Sequence, residues 1–229
     1  MLILACDTSN SSCCAGVYED GKELAFELSM EKKTHSETFM PLVKRVIETA
    51  GKTPSDIERI AVTAGPGSFT GIRIGLAAVK GMALALRADC IPVSSTLALA
   101  LSVENISSDP EDTLLLPCFD ARNNRVFASV VCDHSKKMVI SEGAYDAGQL
   151  ADRIAAVRGI DKKKIIVAGD GAETMRPVLE GKNLSVKYAP GCVILPKGVF
   201  LASADKKAVS GAAVKAAYCA VSSAERLKK

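Results

Sequence analysis

Along residues 1–29 the apolar positions come in short runs and alternations, which is the pattern of strands. LILAC (2–6) ends in the turn-forming cluster DTSNSS, and CCAGVY follows. Asp20-Gly21 in EDGK signals a hairpin, and ELAFELS (23–29) alternates, with Leu24, Phe26 and Leu28 on one side. From Thr34 the period lengthens to that of a helix. Thr34-x-x-Glu37 has capping-box spacing, Phe39, Leu42, Val43, Val46 and Ile47 make an apolar stripe, and Gly51 can end it. IERIAVTAG predicts a strand at about 58–64, a glycine-rich loop leads into a helix at about 70–88, CIPV is a short strand, and SSTLALALSV is another helix. The polar stretch ENISSDPEDT (104–113) breaks the pattern.

After that break the series begins again. LLLPCFDARNNRVFASVVCD reads as strand, turn and strand, the turn holding Asp120 and Asn123-Asn124. KKMVISEGAY adds a third strand, 147–158 a helix, and KIIVAGDG another strand. Two successive strand–turn–strand–strand–helix–strand series predict a duplicated α/β fold, with one lobe over 1–105 and a smaller one over 106–229. Ala208, Ala212, Ala216 and Ala220 lie at helical spacing and predict a last helix over about 204–226, able to pack back on the first lobe.

Composition narrows the function classes. The 229 residues, 48% apolar, can bury one large core or two modest ones. A net charge of +3 is too small to indicate a nucleic-acid partner, although the second half is the more basic and Lys162-Lys163-Lys164 is its densest run. With no tryptophan and 4% aromatics, gripping RNA by base stacking is disfavoured. The eight cysteines include no CxxC pair, and Asp7 interrupts the opening apolar run, which argues against a secretory signal. Reduced thiols and a cytoplasmic location are expected. No run reaches about 18 uninterrupted apolar residues, so no membrane span is predicted.

The loop AGPGSFTG (64–71) looks at first like a phosphate cradle. A Walker-type loop, however, closes on Gly-Lys-Ser/Thr, and this one closes on Thr70-Gly71-Ile72. The helix after it is apolar around most of its girth. Ile72, Leu76, Val79, Ala83 and Leu86 form one row, Gly71, Gly75, Ala78, Met82 and Ala85 a second, and Arg73, Lys80 and Arg87 a narrow polar stripe. Such a helix needs cover on two sides, from its own sheet and from a second layer or a second chain. Small residues four apart admit a closely packed helix.

The segments LACDTSNSSCCAGV (4–17), THSETFMPLV (34–43), AGPGSFTGIRIGLAAVKGMALAL (64–86), IPVSSTLALA (91–100) and FDARNNRVF (119–127) together resemble the TsaB family. The likeness is close over residues 1–130 and thin beyond about 175, where the YLR-like ending common in the family is not found. The resemblance implies two actin-like, ribonuclease H-like lobes of mixed sheet flanked by helices. It also implies a non-catalytic subunit of the bacterial complex that makes N6-threonylcarbamoyladenosine at position 37 of tRNA. The implied partners are the catalytic threonylcarbamoyltransferase paralogue, an ATPase subunit and a second copy of the chain. Contact would run through Phe39, Met40, Val43 and Ile47 of the first helix and Gly71, Ile72, Gly75, Ala78, Val79 and Met82 of the second.

The catalytic relatives carry Asn-His-x-x-x-His on the helix after the glycine loop, two imidazoles on one face for a metal. Here Ser95 and Leu99 stand at those positions, and His35 and His134 are the chain's only histidines. No metal and no catalytic residue is expected. The first phosphate hairpin of actin-like folds matches Asp7, Thr8 and Ser9, and Gly169, Asp170 and Gly171 resemble the loop near the nucleotide. These six residues leave ATP with magnesium as a weaker alternative, that of an independent phosphotransferase or hydrolase. As a plain polar turn, Asp7 and Thr8 would instead bond their own backbone. Ser68, Ser95 and Cys13 lack a histidine placed by sequence pattern to activate them.

Overall fold

The computed structural model describes residues 1–31, 34–103 and 112–219. The chain divides into two compact units, one of Met1–Ser102 with Ile194–Tyr218, the other of Val103–Val193 with Cys219–Lys229. Most of the break at 104–113 lies outside the described residues.

The first unit is a mixed five-stranded sheet ordered β3-β2-β1-β4-β5. It consists of β1 (Leu2–Asp7), β2 (Cys13–Glu19), β3 (Lys22–Ser29), β4 (Arg59–Gly65) and β5 (Asp89–Ser94). β1–β2 and β2–β3 pair antiparallel, as hairpin-length connections require, while β4 and β5 add in parallel through helical crossovers. Parallel strands covered on both faces read as unbroken apolar runs, and β1 is buried along its whole length. α1 (His35–Thr49) and α2 (Phe69–Leu86) enter the same apolar core as Leu4, Ala15, Ile60 and Val62. α3 (Ser95–Ser102) packs with α6 (Pro196–Ser203), a helix of the returning segment that also lies against β1. A Cβ on Gly198 of α6 would sit 2.2 Å from the Ala98 carbonyl, so a glycine does bring two helices together in this chain, on α3.

The second unit repeats the topology. β6 (Thr113–Asp120), β7 (Arg125–Cys132), β8 (Met138–Asp146), β9 (Lys164–Ala168) and β10 (Ser185–Ala189) are ordered β8-β7-β6-β9-β10, the first unit's order position for position. α4 (Ala147–Ala155) and α5 (Ala172–Glu180) bury Leu150, Ala151, Ile154, Met175 and Leu179 in its core. Its first turn is tight: Arg122, Asn123 and Asn124 all have positive φ, a conformation asparagine tolerates better than most residues.

The tail corrects the alanine-spacing argument. Residues 204–206 turn away from α6 and residues 207–218 form an extended strap broken by one short 3-10 turn at Gly211–Ala213, not a helix; residues 220–226 of the predicted element lie outside the described residues. Long-range bonds explain the difference. Val209 exchanges two backbone hydrogen bonds with Cys90 at 2.8 Å each, Val214 is wholly buried, and Ala217 N–H donates to the Ala64 carbonyl at 2.7 Å. Alanine spacing alone offers no such partners, so tertiary pairing wins over propensity. All eight cysteines are free thiols, five of them buried.

A candidate partner-binding surface

Local signals set the two helices that carry the site. Thr34 and Glu37 form the reciprocal capping box, with Glu37 accepting from the Thr34 N–H at 3.2 Å. His35 Nε2 lies 2.6 Å from the Asn10 carbonyl and ties the helix start to the β1–β2 loop. Phe39, Leu42, Val43, Val46 and Ile47 are buried, leaving Met40, Lys44 and Glu48 outside. α2 begins at Ser68, whose Oγ accepts from the Gly71 N–H at 3.2 Å, and ends at Arg87 in the left-handed conformation.

Ile72, Leu76, Val79 and Ala83 of α2 face the unit's own core. Burying side chains of this size contributes about 1.5–3 kcal/mol each for the larger ones. Gly71 and Gly75 are also buried, and the reason corrects the small-residue reading. A Cβ on Gly71 would lie 2.1 Å from the Thr8 carbonyl oxygen, and one on Gly75 would lie 2.2 Å from Thr8 Oγ1. Thr8 Oγ1 donates to the Gly71 carbonyl at 2.8 Å, and Ser68 N–H donates to the Ser9 carbonyl at 2.7 Å. Both glycines therefore admit the β1–β2 hairpin, not a neighbouring helix.

The outward face of α2 is a different set. Ala77, Gly81 and Ala85 recur four apart and are exposed, and Leu84 beside them is 84% exposed. A Cβ on Gly81 would meet nothing within 4 Å. Ile74, Ala78 and Met82 are half-buried at the edge of this face. Between α1 and α2 runs an apolar groove of about 380 Å³, lined by Met40, Val43, Ile47, Met82, Ala85 and Leu86 with Pro54 and Ile57, and with Lys44 and Glu48 beside them. On the other side the strap borders the helix. Gly211 abuts Ala83, the Arg73 guanidinium lies 3.7 Å from the Phe69 ring centroid, and Arg73 Nε donates to Tyr218 Oη at 3.0 Å. Of the ten predicted contact residues, Met40, Val43, Ile47 and Met82 line the groove, Val43 and Ile47 being themselves buried, and Ala78 flanks the open face, whereas Phe39, Gly71, Ile72, Gly75 and Val79 are buried in the unit away from it. Ala77, Gly81 and Leu84 were missed, though their spacing was a legible signal.

α2 is the one helix, among the described residues, long and apolar enough to cross a membrane, with mean hydropathy 1.5 over its 18 residues. It is also the crossover joining parallel β4 to β5, with one face committed to the core.

The remaining candidates fall in two places. Asp7, Thr8 and Ser9 are buried at the end of β1. Asp7 Oδ1 accepts from Ser9 N–H at 2.9 Å, Ser9 Oγ at 2.6 Å and Thr63 Oγ1. In the second unit Asp170 Oδ1 accepts from the Asp120 N–H at 3.0 Å, and burial pushes the Asp170 carboxyl up. Gly169 has φ +99°, and a Cβ on Gly171 would lie 2.9 Å from the Cys118 carbonyl carbon. Ser95 and Leu99 are fully buried on α3, and among the described residues no group of three His, Cys, Asp or Glu side chains could hold a metal ion. Burial raises the Cys13 thiol to about 12, which removes it as a nucleophile at neutral pH.

A family model described as TsaD, tRNA N6-adenosine threonylcarbamoyltransferase, matches residues 29–222. The chain belongs to this family. Within it the chain is similar to TsaB proteins. It is 35% identical over 130 residues to the tRNA threonylcarbamoyladenosine biosynthesis protein TsaB of Bacillus subtilis, covering 57% of this chain and 55% of that one. To the Escherichia coli TsaB it is 34% identical over 128 residues, covering 56% and 53%. The matched segment thus spans about half the length of these curated relatives. Among solved structures, YeaZ from Pseudomonas aeruginosa superposes with a TM-score of 0.79 at 22% identity, covering 95% of this chain and 99% of that one. That likeness shows the actin-like fold over 95% of this chain, including residues beyond about 175 where the sequence resemblance thins.

Proposed function

We propose that the chain is a non-catalytic scaffold in tRNA N6-threonylcarbamoyladenosine biosynthesis, binding the catalytic threonylcarbamoyltransferase paralogue through α1 and the outer face of α2. The observation that carries this reading is the Ala77–Gly81–Ala85 row with Leu84 84% exposed beside it, bordered by the apolar groove along α1. A helix seated there approaches the α2 backbone closely at Gly81 while Leu84 fills a hole on the partner. The paralogue supplies metal and substrate chemistry, an ATPase subunit joins the pair, and tRNA contact from this chain is weak or indirect. A second copy can occupy the same surface when the paralogue is absent.

The rival, an independent nucleotide hydrolase, has less support. Thr8 and Ser9 already use their polar groups within the unit, and Asp7 Oδ1 is saturated with donors.

Co-purification of the tagged chain with the paralogue tests the proposal. Gly81→Lys and Leu84→Glu each place a charge in the contact without entering the core, and each is expected to reduce the bound paralogue at least ~10-fold with no fall in melting temperature, a loss of about 1.4 kcal/mol or more. Undiminished recovery with both variants overturns it.

A further inference from the structure

The end of β1 holds a polar group whose geometry the partner-binding role does not use. Asp7 is 0% exposed. Its Oδ1 takes three donors, from Ser9 twice and Thr63 once, while Oδ2 has no protein partner. Among the described residues no lysine, arginine or histidine forms an ion pair with it. The other titratable groups near it are His35 at the start of α1, whose Nε2 faces the Asn10 carbonyl and whose charge acts on Asp7, and the thiols of Cys6, Cys13 and Cys14 on β1 and β2. α2 directs its charges outward: Arg73, on Tyr218, is exposed.

A fully buried carboxylate without a counter-charge is among the costliest groups a fold can hold, and such groups neutralise instead. Neutralisation has a definite site here. Three donors saturate Oδ1, so the proton belongs on Oδ2, and a proton there needs an acceptor. Two hydroxyls at the same end of the sheet also lack protein partners: Ser12, just before β2, and Ser95, just after β5, both 0% exposed. One buried water can join a donor to hydroxyls of this kind.

We infer that Asp7 is a neutral carboxylic acid in the folded protein, with its proton on Oδ2, and that the β1–β2 hairpin is thereby a pH-sensitive clasp on α2. The same hairpin presents Thr8 to Gly71 and Gly75 and the Ser9 carbonyl to Ser68. Charging Asp7 would load the contact that seats the first turns of α2.

The sign of the pH effect follows. Desolvation raises the folded carboxyl above its ordinary value of 3.8, with the Ser9 and Thr63 hydrogen bonds and, least of all, the charge of nearby His35 opposing it in part. The stabilisation is complete below that ordinary value and is lost as pH rises through the folded one. Asp7→Asn keeps the three accepted bonds and puts a permanent N–H donor at the Oδ2 position, so it should match the neutral acid at every pH.

The test compares melting temperatures of the full chain and Asp7→Asn from about pH 4 to pH 9, together with the 13C resonance of the wild-type Asp7 side-chain carboxyl. The expected result is a carboxyl that titrates above its ordinary value of 3.8 and a variant whose advantage over wild type grows with pH. An Asp7 that titrates at or below 3.8 overturns the inference. So does a rise in melting temperature with magnesium or potassium chloride in wild type that Asp7→Asn lacks, because that would show a bound cation instead of a proton. Should Asp7→Asn fail to fold, the wild-type carboxyl resonance alone decides.

Discussion

Two ends of one helix use glycine in opposite ways. Near its start, Gly71 and Gly75 have Thr8 so close that a methyl group at either position would enter its electron cloud. Near its end, Gly81 has open space where a side chain would go. In the first case glycine is a requirement of the monomer's own packing. In the second the monomer gains nothing, since glycine inside a helix costs roughly 0.5–1 kcal/mol relative to alanine. A cost that the isolated chain does not recover points outside it, and the proposed contact of a second helix on the Ala77–Gly81–Ala85 row would account for it. The two glycine types are indistinguishable in sequence and separable by mutation.

The largest effect should come from Gly71→Ala. Its Cβ would meet a backbone oxygen, which cannot swing aside as a side chain can, and a loss of roughly 3 kcal/mol or more is expected in chemical denaturation. A loss below about 0.5 kcal/mol would mean that the hairpin does not sit on α2 as described.

Gly75→Ala should cost less, about 1–3 kcal/mol, because the obstacle is the Thr8 side chain. Thr8→Ala removes that obstacle along with its bond to the Gly71 carbonyl, so the double variant should be more stable than the sum of the single losses predicts. A double-mutant cycle with no coupling would break the assignment of Gly75 to Thr8.

At the other end, Gly81→Ala should stabilise the isolated chain by roughly 0.5–1 kcal/mol, read as a raised urea midpoint. The smallest expected effect is that of Leu84→Ala on the stability of the monomer, within about 0.5 kcal/mol, while its affinity for the paralogue falls. A large stability loss from Leu84→Ala would mean that this leucine serves the monomer's own fold, and the contrast between the two ends would fail.

Much of the fold was legible. The capping box at Thr34, the apolar stripe of α1 and the change from alternation to helical period located the first five strands and three helices to within a few residues. The repeat of that series in the second half anticipated two sheets of one topology. The site was less legible, for a reason α2 makes plain. A helix apolar around most of its girth has a weak preference for which arc faces the sheet, so the row containing Gly71, Gly75, Ala78, Met82 and Ala85 looked as suitable for a partner as the row beside it. The structure rotates that choice: the first two members go under the hairpin, the next two to its edges, and only Ala85 stays exposed, next to Ala77, Gly81 and Leu84, which had not been singled out. The strap was misread for a related reason. Ala208, Ala212 and Ala216 have helical spacing, yet Val209 finds Cys90 and Ala217 finds Ala64, each more than a hundred residues away. Likewise nothing local announces that residues 194–203 leave the second series and pack on α3 and β1.

The sequence by itself determined the elements up to about residue 168, their duplication and the absence of paired imidazoles at Ser95 and Leu99, because periodicity, caps and side-chain chemistry are properties of neighbours along the chain. Tertiary structure alone decided which glycines face inward, which part of α2 remains open and how the returning segment closes the first unit. Those outcomes depend on contacts between residues tens to hundreds of positions apart, and burial is won or lost only when the whole unit has assembled.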